Sequence, residues 1–148
     1  MIVAVWIALA LFVAGEFGRP RLFLIGAIVC AVHMAIAMGA VYHWSHAAAI
    51  DATARQTAAV FGIGWGGGVF VNYVFLAVWM IDAIARLTSR APRSRALVWS
   101  LRAFYFVIII NAAVIFARPE RRWLGAALCA LLVMAWSPWR KRWSTTWT

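Results

Sequence analysis

Five polar side chains lie within, at the end of or just beyond long apolar stretches of the sequence. They are His33, His43, His46, Asn72 and Asn111. Polar groups are costly to place in lipid, so they usually face the interior of a membrane protein. Imidazole can ligate a metal ion or a haem iron, and polar groups that converge beneath an irregular segment are typical of an intramembrane site. These residues form the candidate cofactor-binding set.

Two of the histidines lie close together in the sequence. His43 and His46 have the i, i+3 spacing that places two side chains on one face of a helix, if the helix continues that far. Two imidazoles on one face can hold zinc or copper, with Asp51 or another group as a third ligand. In the simpler interpretation, both histidines lie at the membrane interface and are wetted by lipid head groups. The sequence leaves a metal site at this pair open.

The third histidine falls near the middle of an apolar stretch. His33 precedes His43 by ten residues, about 15 Å along a helix, so a straight helix cannot bring both to one metal ion. His33 can instead be an axial ligand of a b-type haem whose second histidine belongs to a partner subunit, because this chain has no other histidine at that depth. The alternative is a core histidine that hydrogen-bonds to a carbonyl group or an asparagine.

Asn72 and Asn111 fall in the outer half of their apolar stretches, near a glycine-rich segment at residues 62–68. That segment lacks the Gly-Lys-Ser/Thr ending and the preceding strand of a phosphate-binding loop. We expect it to allow close backbone packing or a re-entrant bend. Together with the histidines, the two amides outline a site in the outer half of the protein. The alternative is hydrogen bonding between helices, which contributes about 0.6 kcal/mol per contact on average.

Hydropathy indicates which elements position these residues. The sequence is 66% hydrophobic and 12% charged, against about half and about a quarter in soluble domains. Five apolar runs are separated by breaks that contain proline or glycine, at residues 2–17, 22–44, 65–85, 97–117 and 123–139. A span needs about 20 helical residues, so the first and last runs are short. We predict an all-α, polytopic transmembrane helix bundle of about five spans, or four if a short terminal run does not cross. It forms one integral membrane domain over residues 1–148.

Two further patterns refine this bundle. Residues 46–60 are rich in alanine and carry several polar side chains, which predicts an interfacial helix on the outer side, followed by the glycine-rich loop. In the second run, small residues recur every four positions and form a ridge that allows close packing within the bundle or against another subunit. They are Ala27, Ala31, Ala35 and Gly39.

The few acidic residues indicate no catalytic group. Asp82 and Arg86 have the i, i+4 spacing of a routine surface pair at a helix end, and Glu16 lies beside Arg19. No pair of carboxylates and no Ser-His-Asp spacing points to hydrolysis. We therefore expect no catalytic activity of the chain's own.

Basic residues are divided unevenly between the two sides of the predicted bundle. With five spans, the richer side holds Arg19, Arg21, Arg86, Arg90, Arg93, Arg95, Arg140, Lys141 and Arg142. The other side holds Arg55, Arg118, Arg121 and Arg122. Basic loops stay in the cytoplasm, so we expect an external N-terminus and a cytoplasmic C-terminus in a bacterial inner (plasma) membrane. The net charge of +10 lies in clusters between apolar runs, which suits anionic lipid head groups and not nucleic acid. Arg102, inside the fourth run, is expected to extend its charge to the interface.

Three functions are consistent with these features. Small size, few titratable groups, the small-residue ridge and tryptophans near several span ends lead us to predict an accessory or structural subunit of a larger membrane complex. Its partners would be the lipid bilayer and other membrane subunits or a second copy. The alternative is a redox membrane anchor that binds haem or quinone at the candidate set. A second alternative is a small carrier or channel lined by Asn72, Asn111 and the glycine-rich loop.

Overall fold

The structure, a computed structural model, describes residues 2–89 and 93–137. Within these ranges 84% of the residues are helical and none lies in a strand, which confirms the predicted all-α class. The described chain forms the helices α1 (Ile2–Glu16), α2 (Pro20–Ala40), α3 (His46–Phe61), α4 (Gly68–Thr88), α5 (Arg95–Ile110) and α6 (Arg122–Trp136). A π-helical segment, Asn111–Ile115, prolongs α5, and a 3-10 turn, Pro119–Arg121, precedes α6. The end of the last predicted run and four of the predicted basic residues lie outside the described residues: Arg90, Arg140, Lys141 and Arg142.

The local sequence explains where several helices begin and end. Pro20 occupies the first turn of α2, where its missing N–H leaves no hydrogen bond unmade. α3 and α5 begin after Ser45 and Ser94, whose hydroxyl groups each accept a hydrogen bond at 3.2 Å from the backbone N–H three residues later. α3 ends at Gly62, which has the left-handed φ of 75° that glycine adopts without strain.

Three helical segments are long and apolar enough to cross a membrane. They are Pro20–Ala40, Gly68–Thr88 and Arg95–Ile115, with mean hydropathies of 2.3, 1.8 and 1.9. This finding fits a location in a membrane. α1 and α6 have 15 residues each, whereas a span needs at least about 17. Length and composition therefore indicate three candidate crossings, and the predicted count of about five is not confirmed.

Aromatic rings from four helices form the centre of the core. The Phe12 ring of α1 lies 4.8, 4.9 and 5.0 Å, centroid to centroid, from the rings of Phe23, Trp79 and Tyr105. Tilted and edge-on contacts of this kind are favourable because the ring edge is positive and the ring face negative. The Trp79 indole N–H donates to the Phe23 carbonyl at 3.1 Å, so its polar atom is satisfied. Because Phe12 is fully buried, α1 is part of the core.

Two glycines let neighbouring helices approach closely. Gly15 of α1 lies against Phe23 of α2, and a Cβ atom on Gly15 would overlap the Phe23 backbone. Gly125 of α6 lies against Ala113 in the π-helical segment, and a Cβ atom on Gly125 would overlap the Ala113 carbonyl oxygen. Such close backbone contacts are typical of helix bundles in membranes, where packing replaces the hydrophobic effect as the force between helices.

Antiparallel packing of the helices collects polar residues at two opposite ends of the bundle. We call the first the charged end, and it contains Glu16, Asp82, Arg86, Arg93 and Tyr105. We call the second the amide end, and it contains Gln56, Asn72 and Asn111. The predicted Ala-rich helix is present as α3, which packs on α4 at the amide end. The glycine-rich segment connects α3 to α4, and its last glycine, Gly68, begins α4.

Candidate functional site

A cavity of about 380 Å³ lies at the amide end between α3, α4 and the π-helical segment. Its lining includes Thr53, Gln56, Asn72, Asn111, Phe61, Trp65 and Phe116. A cavity of this size, with a few polar groups in an apolar and aromatic wall, is typical of a small-molecule site. The residues that line it are all uncharged, so the cavity suits a neutral ligand better than an ion.

The π-helical segment determines how Asn111 is placed. The Asn111 carbonyl accepts a hydrogen bond at 2.9 Å from the N–H of Phe116, five residues later, which is the bond that defines a π-helix. The side-chain amide of Asn111 donates to the Val107 carbonyl at 2.7 Å. π-Helical turns are frequent at functional sites because they interrupt the regular order of side chains along a helix. The segment therefore strengthens the case for a site at this cavity.

Thr57 and a pair of aromatic rings hold the cavity walls together. The Thr57 hydroxyl lies 2.9 Å from the Thr53 carbonyl and 3.1 Å from the Trp65 carbonyl, so these two acceptors share its one hydrogen. This contact ties α3 to the glycine-rich connection. The rings of Phe61 and Phe116 meet edge-on with centroids 5.8 Å apart, which joins the end of α3 to the π-helical segment.

Asn72 lies where three neighbouring cavities meet. Besides the first, it lines one of about 170 Å³ that reaches Cys30 and one of about 180 Å³ that reaches Tyr73. His33 lines both of these smaller cavities. Its Nδ1 atom is buried and has no hydrogen-bond partner in the described part of the chain. The structure therefore brings His33, Asn72 and Asn111 around neighbouring cavities.

The other two histidines, His43 and His46, do not line these cavities. α2 ends at Ala40, and the chain then reverses through His43 and Trp44, whose φ values of 48° and 61° are left-handed. The helix does not continue from His43 to His46, so the two imidazoles do not share a helix face. Both histidines are exposed, and the His46 ring packs 6.0 Å from the ring of Tyr73. Across residues 2–89 and 93–137, no group of three or more His, Cys, Asp or Glu side chains converges in a way that can hold a metal ion.

Asp82 is the centre of an ion network at the charged end, so the prediction of a routine surface pair with Arg86 was wrong. Asp82 is only 4% exposed. Its carboxylate accepts hydrogen bonds from Arg86 at 2.8 Å, from Tyr105 at 3.0 Å and from Arg93. Asp82 is buried because Tyr105 of α5 packs against this face of α4 and Arg93, which precedes α5, reaches the carboxylate. A buried carboxylate is stable as an ion only with such a complete set of donors.

Glu16 extends this network to α1 and α6. Its carboxylate pairs with Arg86 at 2.6 Å and accepts the indole N–H of Trp136 at 2.5 Å. The sequence had suggested Arg19 as its neighbour. The Arg86 guanidinium also lies 3.8 Å above the centroid of the Phe23 ring. With the Tyr105 hydroxyl, the network therefore joins α1, α2, α4, α5 and α6.

Sequence reasoning missed three members of this network, namely Arg93, Tyr105 and Trp136. One signal was present, because Asp82 falls inside an apolar run and an ionised group there needs partners within the bundle. Hydropathy does not say which distant side chains supply them. The partners come from a connection and from two other helices, so only the packed structure identifies them.

The two ends of the bundle therefore offer different chemistry. The amide end presents neutral hydrogen-bonding groups around open space, whereas the charged end uses its ionised groups to bind helices to one another. In comparisons with known proteins, no family model, no curated protein and no solved structure matches this chain.

Proposed function

We propose that the protein is an integral plasma-membrane protein in which α1, α2, α4, α5 and α6 all cross the bilayer, and that it is an accessory subunit of a larger membrane complex. Five crossings are supported by the core, because Phe12 of α1 and Leu132 of α6 are fully buried and both short helices pack among the longer ones. Bilayers thin around short helices at modest cost. The basic residues near the charged end favour the cytoplasmic side for that end.

The observation that carries the accessory role is the ion network at the charged end. Glu16 and Asp82 are both bound by arginines, and each also accepts a hydrogen bond from an aromatic side chain of another helix. A catalyst or an ion carrier that works through carboxylates needs them free to exchange protons or ligands. These acids are instead bonded between helices, which fits a protein whose task is to maintain one shape beside a partner.

The outward face of α2 is suited to contact that partner. Ile28, Val32 and Ile36 are 47%, 52% and 49% exposed, and Ala35 is exposed beside them. A small residue among β-branched side chains lets another helix approach closely in lipid. Of the ridge predicted from the sequence, Ala35 belongs to this face, whereas Ala27 is buried inside the bundle. The partner helix belongs to another membrane protein or to a second copy of this chain.

Purification of the full chain from its native membrane in mild detergent tests this proposal. We expect a stable partner to co-purify, identified by mass spectrometry. Ala35→Trp places a large ring on the α2 face and should abolish co-purification. Val74→Trp is the control, because Val74 is 53% exposed on α4 and lies on another face. A discrete monomer without any partner contradicts the proposal.

The cavities around Asn72 favour a second candidate function, the binding of a neutral amphipathic cofactor such as a quinone. Amide groups of Gln56, Asn72 and Asn111 can donate hydrogen bonds to quinone carbonyl oxygens, and the aromatic and apolar walls suit the ring and tail. Haem fits less well, because His33 is the only histidine among the residues that line these cavities. A second axial histidine would have to come from a partner.

Extraction and absorbance spectroscopy of the purified protein test the second candidate. We expect quinone in the organic extract of the unaltered protein and little in that of Asn72→Leu. Ser100→Leu is the matched control, since it makes the same polar-to-apolar change at an exposed position of α5 away from the cavities. A preparation that contains no quinone and is colourless excludes this candidate.

A further inference from the structure

Arg102 differs from the two arginines of the ion network because it has no acidic partner among residues 2–89 and 93–137. Arg86 and Arg93 are paired with buried carboxylates. In the part of the chain that the structure describes, no carboxylate lies within ion-pair distance of Arg102. Arg102 belongs to a helical segment apolar enough to cross a membrane, and a charge there is costly unless it finds a counter-ion or reaches the interface.

Two tryptophans hold the Arg102 side chain in place. Its guanidinium carbon lies 5.3 Å from the ring of Trp99 and 5.5 Å from the ring of Trp136. Such contacts attract the cation through the negative ring faces. They restrict the guanidinium group without supplying acceptors for its N–H donors. Tryptophan is also the side chain most typical of the level at which lipid head groups meet the hydrocarbon.

Two cavities of different character meet at Arg102. One, of about 310 Å³, is lined in part by the charged side chains Glu16, Arg86 and Arg93. The other, of about 460 Å³, is an open and mostly apolar groove between α5 and α6. Its lining includes Ala103, Phe106, Val133 and Trp136. Arg102 lines both, so the charged cavity and the apolar groove meet at one cation.

We propose that this place binds an anionic phospholipid, with its phosphate on Arg102 and one acyl chain in the groove between α5 and α6. The planar guanidinium group matches two phosphate oxygens at once. The groove supplies an apolar surface for the acyl chain. A free phosphate would leave this groove empty. The junction of the two cavities therefore has the amphipathic character of a lipid.

The balance of charge favours an anionic lipid over a zwitterionic one. Three arginines line the charged cavity, and two of them, Arg86 and Arg93, are paired with carboxylates. Within the described residues, the positive charge of Arg102 is left without an acidic partner. In the sequence, Ser137 of the groove is followed by the basic residues Arg140, Lys141 and Arg142. Basic clusters directly after a membrane helix attract anionic lipids.

Native mass spectrometry of the full chain, released from bilayers of phosphatidylcholine and phosphatidylglycerol, tests this proposal. We expect the unaltered protein to retain phosphatidylglycerol. Arg102→Gln should lower this retention at least about ten-fold, which corresponds to about 1.4 kcal/mol. Arg95→Gln removes the same charge from the same helix and should retain the lipid, because Arg95 is exposed and lines neither cavity.

A second variant tests the acyl chain while leaving the cation in place. Ala103→Trp fills the groove and should also reduce lipid retention. Val107→Trp is its control, since Val107 is exposed on α5 outside the groove lining. Added inorganic phosphate should not displace the bound lipid.

Three results would overturn the proposal. The first is full lipid retention by Arg102→Gln, and the second is an equal loss in Arg95→Gln, which would indicate diffuse attraction. The third is full retention by Ala103→Trp together with displacement of the lipid by free phosphate, which would reduce the site to one for an ion.

Discussion

The charged end and the amide end keep the same helices together in different ways. At the charged end, Asp82 is nearly inaccessible and receives hydrogen bonds from two arginines and a tyrosine. At the amide end, Asn72 and Asn111 border a cavity, and the described hydrogen bond of the Asn111 side chain stays within its own helix. At one end the polar groups join helices through ion pairs, and at the other they border an uncharged cavity.

The difference follows from what each kind of group costs to bury. An ionised group that leaves water loses several kcal/mol, which is recovered only when its charges are paired and its hydrogen bonds are made. An amide hydrogen bond between helices in a membrane contributes only about 0.6 kcal/mol. Loss of the partners of Asp82 would therefore be costly, whereas loss of a contact between an amide and another helix would cost little. The comparison teaches that a small bundle can join its helices by ion pairs at one end while the polar groups at its other end contribute little to stability.

Removal of the central acid is expected to have the largest effect on this comparison. Asp82→Ala leaves Arg86 and Arg93 without their shared partner and should lower the free energy of unfolding by about 3–5 kcal/mol. Asp51→Ala breaks the exposed pair with Arg55 on α3 and should cost only about 0.3–0.5 kcal/mol. Unfolding by SDS in mixed micelles measures both. Equal stability of the two variants would show that the ion network does not stabilise the packing of the helices.

The hydroxyl of Tyr105 tests a neutral donor at the charged end. Tyr105→Phe keeps the ring but removes the hydroxyl that lies 3.0 Å from the Asp82 carboxylate and 3.4 Å from the Val78 carbonyl, and bonds to charged groups contribute about 1.5–3 kcal/mol. Tyr73 provides the control at the amide end, because its hydroxyl contacts only the Met38 sulfur, at 3.5 Å, in the described hydrogen bonds. Tyr73→Phe should change stability by less than about 0.5 kcal/mol. A larger loss of stability from Tyr73→Phe than from Tyr105→Phe would mean that the tyrosine of the amide end contributes more than that of the charged end.

Much of the fold could be predicted from the sequence because helices depend on local signals. The apolar run at residues 22–44 corresponds to α2, and the run at residues 97–117 corresponds to the segment Arg95–Ile115. The Ala-rich stretch corresponds to α3, ended by a glycine as expected. The number of crossings could not be predicted from run length alone, since a short helix can be accommodated by a thinner bilayer.

The contacts of polar residues were harder to predict because they depend on distant parts of the chain. The i, i+4 spacing of Asp82 and Arg86 describes neighbours on one helix but not what packs against them. The i, i+3 spacing of His43 and His46 does not place them on one helix face, because His43 adopts a left-handed φ that is uncommon outside glycine. Asn72 and Asn111 do line one cavity, as their similar depth in antiparallel helices suggested. That they bind a ligand stays a prediction.

At the amide end, an added methyl group is expected to reduce stability more than the removal of a polar side chain does. Gly125 of α6 lies against the Ala113 carbonyl of the π-helical segment, so Gly125→Ala should overpack this contact and cost about 1–3 kcal/mol. In Gly64→Ala the new methyl group meets only the Ala54 carbonyl, at an ordinary 3.7 Å. SDS unfolding should therefore give a lower free energy of unfolding for Gly125→Ala than for Gly64→Ala. Similar values for both would mean that backbone packing does not hold this end together.

The smallest effect is expected from the amides themselves. Asn72→Ala and Asn111→Ala should each change the free energy of unfolding by about 0.6 kcal/mol or less, because their polar groups contribute little to helix association. The same two variants should lose a quinone held in the cavities, since those amides are the proposed hydrogen-bond donors to its carbonyl oxygens. Stability and ligand content, measured on one preparation of each variant, thus separate a structural amide from a binding one. If either variant is destabilised as much as Tyr105→Phe, the amides hold helices together as the ion network does, and the two ends do not differ in kind.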